Sequence, residues 1–153
     1  MNKVDLALAY AARGWKVLAL QPNSKIPLKS ALQEHGSKDA TDNPNTIRIL
    51  WGEYPNANVG IATGSLSEGG SGLTVLDLDD RTTARANVEA LPGFKHPPQT
   101  YGTKTPRGWH LYYLFDSSIS QSAGRVEKVD IRNSGGYVVA AGSEVDGVTY
   151  KAL

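Results

Sequence analysis

The stretch LTVLDLDD, Leu73 to Asp80, constrains this chain more than any other. Leu73, Val75 and Leu76 lead a run that reads as a buried strand, yet its end gathers Asp77, Asp79 and Asp80. In a strand, residues i and i+2 point to one face. Asp77 and Asp79 therefore project together, about 6–7 Å apart at Cα for a rise of about 3.3 Å per residue, while Leu76 and Leu78 turn to the core. Two neighbouring carboxylates repel, which raises the pKa of one or calls for a cation. Hard oxygen ligands suit Mg²⁺ or Mn²⁺, and such a pair can hold two ions about 3.5–4 Å apart for phosphoryl transfer. The plainer reading is a strand end with solvated acids, Asp79 or Asp80 capping the next helix. Strand geometry turns Asp80 away from the pair, toward a turn or cap.

The rest of the chain must build a fold around that strand. Its 153 residues suit one domain with a core of its own. The N-terminus is not a signal peptide, because Asp5 and Arg13 interrupt it and its apolar residues are periodic. No apolar run approaches the roughly 20 residues that span a membrane. The absence of cysteine excludes disulfides, thiolate zinc sites and a cysteine nucleophile, and points to a cytoplasmic setting. A net charge of +1 excludes a generic basic nucleic-acid binder, although acids gathered in one site can coexist with basic residues spread around it.

Periodicity predicts a helix over 3–13, with Gly14 as its C-cap, and a strand over 15–20. Residues 21–27 form a loop with two prolines. A second helix follows, capped by Asp42 or Asn43 with Pro44 in its first turn, and Ile47, Leu50, Trp51 and Tyr54 share a face. Strands are expected over 58–64 and along Leu73–Asp79, then a helix over 82–91. The second half is β-rich: 99–105, 110–115, the segment around 129–133, 137–142, and a tail strand over 148–153. Helices mixed with hairpin-linked strands give an α/β or α+β sandwich and not an alternating Rossmann sheet.

Other polar residues complete a candidate site. Asp130 lies between Val129 and Ile131 in a predicted strand, so it and Arg132 share the face away from them. A third acid from a separate strand is what a two-metal site needs; the bland alternative is a surface ion pair. His110 opens a strand near Thr105 and Arg107, where it suits phosphate oxygens or serves as a structural histidine. Lys104, Arg107 and Arg132 are candidate phosphate contacts or merely solvated cations. His35 and His96 read as surface residues. There is no P-loop, no dinucleotide-binding glycine spacing and no Ser-His-Asp arrangement. The phosphohydrolase pattern DxDx[TV] fails at Arg81.

The order of these motifs resembles the bifunctional DNA primase/polymerase (prim-pol) domains of plasmid and phage replication proteins, in the archaeo-eukaryotic primase superfamily. The resemblance runs from about residue 6 to 143. It is carried by Gly14-Trp15 and the Pro22–Pro27 loop with Lys25, by NVGIATG and GLTVLDLD, by TPRGWHLYY, and by VDIRNSGGYVVAAGS. It implies a two-lobed α+β catalytic core with an RRM-like sheet. Asp77, Asp79 and Asp130 match the metal-binding acids, and His110 matches the histidine that meets the nucleotide phosphates. Lys25, Thr105, Arg107 and Arg132 join the nucleotide-binding set. Two positions depart from the family pattern: Trp109 stands where a small residue often precedes the histidine, and Ala141-Gly142-Ser143 stands for Pro-Pro-Ser.

The resemblance implies template-directed nucleotidyl transfer with Mg²⁺ or Mn²⁺. One ion would activate a 3′-hydroxyl, and the other would stabilise the triphosphate and leaving pyrophosphate. Single-stranded DNA, NTP or dNTP and a helicase domain or partner are the implied partners, with Tyr101, Trp109 or Tyr112 stacking on a base. The chain is expected to be a monomeric, cytoplasmic single domain from the N-terminal part of a longer replication protein. Two other readings stay open: a DxD glycosyltransferase and a non-catalytic RRM-like nucleic-acid-binding module.

Overall fold

The computed structural model describes residues 1–83, 86–87, 101–118, 122–126 and 128–153. The first helix, α1 (Lys3–Ala12), starts where the Asn2 side chain accepts from the Asp5 N–H at 2.9 Å. It ends at Arg13, and Gly14 supplies the positive φ of 86° that turns the chain out of the helix. Strand β1 (Val17–Leu20) follows, entirely buried. It begins two residues later than expected, because Trp15 stacks back on Tyr10 instead of joining a ladder. In α2 (Pro44–Glu53), Asn43 is the cap, accepting from the N–H groups of Asn45 and Thr46. Ile47, Leu50 and Trp51 form its buried face.

The strands after α2 are β2 (Asn58–Ala62), β3 (Leu73–Leu78), β4 (Gly102–Lys104), β5 (Trp109–Leu114) and β6 (Ser122–Val126). Then come β7 (Val129–Arg132), β8 (Tyr137–Val139), β9 (Glu144–Val145), β10 (Val148–Thr149) and β11 (Lys151–Ala152). They pair antiparallel in a three-stranded sheet β1-β2-β8, a six-stranded sheet β11-β4-β5-β3-β7-β6 and a small hairpin β9-β10. Helices and antiparallel sheets make this an α+β protein. No helix among the described residues is long and apolar enough to cross a membrane.

The largest core cluster joins both main sheets. It holds Ala7 and Tyr10 of α1, Ile47, Leu50 and Trp51 of α2, Val17, Val59 and Val138 of the smaller sheet, and Leu73, Val75 and Tyr112 of the larger. Leu76, Leu78 and Val129 form a second cluster on the other face of the six-stranded sheet. Two sequence expectations need correction. The tail is not one strand: Tyr150 donates its N–H to the Ser143 carbonyl and accepts from the Gly142 N–H, so β10 and β11 serve different partners. Tyr112 is 2% exposed within the core and is closed to a stacking base. The expected helix over 82–91 lies mostly outside the described residues, but its start is visible in the Ala86 N–H to Thr82 carbonyl bond at 3.2 Å. Asp80 caps it, accepting from the N–H groups of Thr82 and Thr83.

Candidate functional site

The six-stranded sheet brings the predicted residues together through register. Asp77 of β3 stands opposite His110 of β5 on one side and opposite Asp130 of β7 on the other. His110 in turn pairs with Thr103 of β4. Directly paired residues in antiparallel strands point to the same face, so Thr103, His110, Asp77 and Asp130 form one row across the sheet. Asp79 and Arg132 extend that face by the i+2 rule.

Like charges directly opposite each other destabilise a strand pair, and Asp77 opposite Asp130 is such a pair. The structure answers the repulsion with basic side chains. An Arg132 terminal nitrogen lies 3.9 Å from Asp77 Oδ2 and 3.6 Å from Asp130 Oδ2. His110 Nε2 lies 3.4 Å from Asp77 Oδ1, and Arg107 reaches Asp79 Oδ1 at 3.5 Å. Burial by itself pushes the Asp77 carboxyl up, but the hydrogen bond and charge of His110, then Arg132 and Lys25, outweigh it and hold it below the ordinary value. His110 is buried, its ring 6.0 Å from that of Tyr150, and its Nδ1 makes no hydrogen bond among the described residues.

The turn between β4 and β5 sets this row in place. The Thr105 N–H donates to the Gly108 carbonyl, and the Gly108 N–H donates to Thr105 Oγ1, both at 3.0 Å. A Cβ at Gly108 would overlap the Leu78 carbonyl oxygen, so only glycine lets this turn lie against the end of β3. Thr105 is therefore occupied as a turn residue, while Arg107, two residues on, reaches Asp79.

A cavity of about 650 Å³ opens over this face, a size common for small-molecule sites. Asp77, Asp79, His110, Arg132, Thr105 and Arg107 line it, and Lys25 of the 21–27 loop joins them. Asp130 is not among the lining residues, but it meets the site through Arg132. The sequence reading missed the remaining wall: Tyr137 and Val139 of β8, and Val145, Asp146, Val148 and Tyr150 around the β9–β10 hairpin. An available signal was Asp146-Gly147 between two valines, a strong hairpin-turn dipeptide.

The three acids are hard oxygen donors from neighbouring positions on one face, a set that suits Mg²⁺ or Mn²⁺ rather than a softer metal. As the side chains stand, each is turned to a cation, and no group of three or more acids or imidazoles among the described residues is gathered closely enough to hold an ion. The donor set fits, and its closure requires Arg107 and Arg132 to yield their carboxylates.

The family model for the N-terminal domain of bifunctional DNA primase/polymerases (Prim-Pol) matches residues 7–153. The chain belongs to the Prim-Pol family. No curated protein matches it significantly. The first departure from the Prim-Pol pattern does not reach the site. Trp109 packs with Leu76 and Leu78 on the face opposite His110, with Arg81 over its ring at 5.7 Å. That placement also removes Trp109 as a base-stacking group. The second departure, Gly142, has φ 96°, and a Cβ there would come within 2.6 Å of Leu6, so the local backbone is built around glycine.

Proposed function

We propose that this Prim-Pol chain is the catalytic domain of a template-directed nucleotidyltransferase that starts or extends chains on single-stranded DNA in plasmid or phage replication. The observation that carries it is a single cavity in which Asp77 and Asp79 face Lys25, Arg107, His110 and Arg132, on a chain matched by the family over 7–153. A nucleoside triphosphate is a compact polyanion, and preorganised cations in a recessed site are what neutralise such charge. Lys25 and Arg107, both lining the cavity, supply charge to the triphosphate. Arg132 and Arg107 trade carboxylate partners for phosphate oxygens, and His110 offers a ring nitrogen already desolvated.

Asp77, Asp79 and Asp130 are the residues to hold divalent ions, Mg²⁺ or Mn²⁺, which when bound activate the attacking 3′-hydroxyl and neutralise the leaving pyrophosphate. The paired Asp77 and Asp130 fix the donors on rigid strands. The reading includes a two-lobed core with an RRM-like sheet, NTP or dNTP as substrate, a cytoplasmic setting, and a helicase domain or partner in the longer replication protein.

Primer extension and unprimed synthesis, each with separate NTP and dNTP pools and with Mg²⁺ or Mn²⁺, test this directly. Asp77→Ala with Asp79→Ala is expected to lower extension by at least about 100-fold, the scale of losing a main electrostatic element. A double variant that extends as well as wild type sinks the assignment. A second reading follows from the arginine contacts that Asp77, Asp79 and Asp130 already make: an inert nucleic-acid-binding module. It requires DNA binding that a chelator leaves unchanged and no synthesis under any of these conditions.

A further inference from the structure

We infer that Asn58 is a positioning residue that sets the gap between two walls of the cavity and so the fit of the nucleotide, an inference resting on the nucleotidyl-transfer reading above. Asn58 opens β2 and is 1% exposed. Its Nδ2 donates to the Ser24 carbonyl at 2.9 Å and to the Glu144 carbonyl at 2.5 Å. Its Oδ1 accepts from the Glu144 N–H at 3.0 Å and from Lys3 Nζ at 3.2 Å. A side-chain amide has two donors and two acceptor lone pairs, and here all are used. The ladder of β2 needs none of them, since main-chain groups pair it with β1 and β8.

What those bonds hold is specific. Lys25 follows Ser24 directly and enters the cavity from the 21–27 loop. Glu144 begins the hairpin that delivers Val145, Asp146 and Val148 to the same cavity and leads into Tyr150. Residues 21–27 and 144–149 contain no fully buried residue, and of their side chains Val145 alone packs against a core cluster, so packing holds these segments only weakly. Polar links tie them together. Asn58 joins the two at their roots, and Asn23 joins them at the tip, where its Oδ1 accepts from the Gly147 N–H at 2.8 Å and its carbonyl from the Asp146 N–H at 3.4 Å. Loop and hairpin thus form one body, and the cation Lys25 and the ring of Tyr150 are placed together relative to Asp77.

Two variants test this. Asn58→Ala removes the root. Asn23→Gly removes only the tip side chain, because glycine accepts the positive φ of 55° that Asn23 adopts. KM and kcat for extension and the Kd of ATP and dATP with Mg²⁺ are measured, together with amide hydrogen exchange. Asn58→Ala is expected to raise KM and Kd about 5–20-fold with kcat within about threefold, and Asn23→Gly about 2–5-fold, the pattern of lost binding rather than lost chemistry. Exchange should accelerate in 21–27 and 144–149 together, with β3 and β5 unchanged. Wild-type KM and Kd in both variants, or faster exchange in one segment alone, overturns the inference. If Asn58→Ala does not fold, the exposed Asn23→Gly decides alone by the same measures. A wild-type chain that neither binds nucleotide nor extends a primer removes the nucleotidyl-transfer reading and this inference with it. An active wild type with unshifted variants removes only this one.

Discussion

Asp77 concentrates the residue-scale physics of the site. Its carboxyl is pushed up by burial and held down, more strongly, by His110, Arg132 and Lys25. The net folded-state value lies below the unfolded one, so the group contributes stability that is fully present above the unfolded pKa of about 4. That contribution is lost as pH falls through the lower folded value. Urea midpoints of the metal-free protein taken from pH 7 down to 3 should therefore drop, and Asp77→Asn should flatten the acid limb. An unchanged limb would show that the cations around Asp77 do not favour its charged form. Asp77, Asp79, Asp130 and His110 were legible because strand alternation alone decides which face they take. Asn58 and Tyr150 were not, because their roles depend on which distant segments return to them. Trp109 and Tyr112, read as base-stacking aromatics, sit respectively on the opposite face and in the core.

Among the elements, α1 is docked by a polar contact as well as by its apolar face. Tyr10 donates its hydroxyl to the Ala141 carbonyl at 2.8 Å, and its oxygen lies 3.3 Å from that of Tyr101. Burial above all, with the Tyr101 hydroxyl beside it, pushes the Tyr10 phenol well above its ordinary value. Tyr10→Phe strands a carbonyl partner and should cost about 1–2 kcal/mol in urea unfolding. Tyr10 contributes stability present below the unfolded pKa of about 10 and lost as pH rises toward the higher folded value, so the variant should also soften alkaline destabilisation. A stability equal to wild type would leave the apolar face as the whole anchor. The two helices and the strands β1, β2, β3, β5, β7 and β8 were readable from local period and capping residues. The tail failed because VTYKAL alternates like one strand, whereas the Tyr150 main chain bonds to Gly142 and Ser143 and splits it between a hairpin and a sheet edge. Nothing in six residues of local pattern encodes two partners.

For the whole molecule, the decisive feature is that both sheets and both described helices share one core cluster. Among the described residues the two main sheets meet in this cluster, so they are expected to unfold in a single transition. Far-ultraviolet dichroism and tryptophan fluorescence, the latter reporting Trp15, Trp51 and Trp109, should give superimposable melting curves. Curves displaced from one another would mean that the six-stranded sheet unfolds separately. The α+β class was legible at this scale, from the mix of periods, but the partition into two sheets and a hairpin was not, since pairing is a long-range choice. Thr103, His110, Asp77 and Asp130 stand in one row of paired positions, and this limits how descendants of the chain can change length. Loops away from the row can grow or shrink at little cost. A single-residue insertion or deletion inside β3, β5 or β7 would send every position beyond it to the other face. An acid or imidazole would then trade places with Leu76, Leu111 or Ile131, and the lineage would lose the site while keeping a sheet.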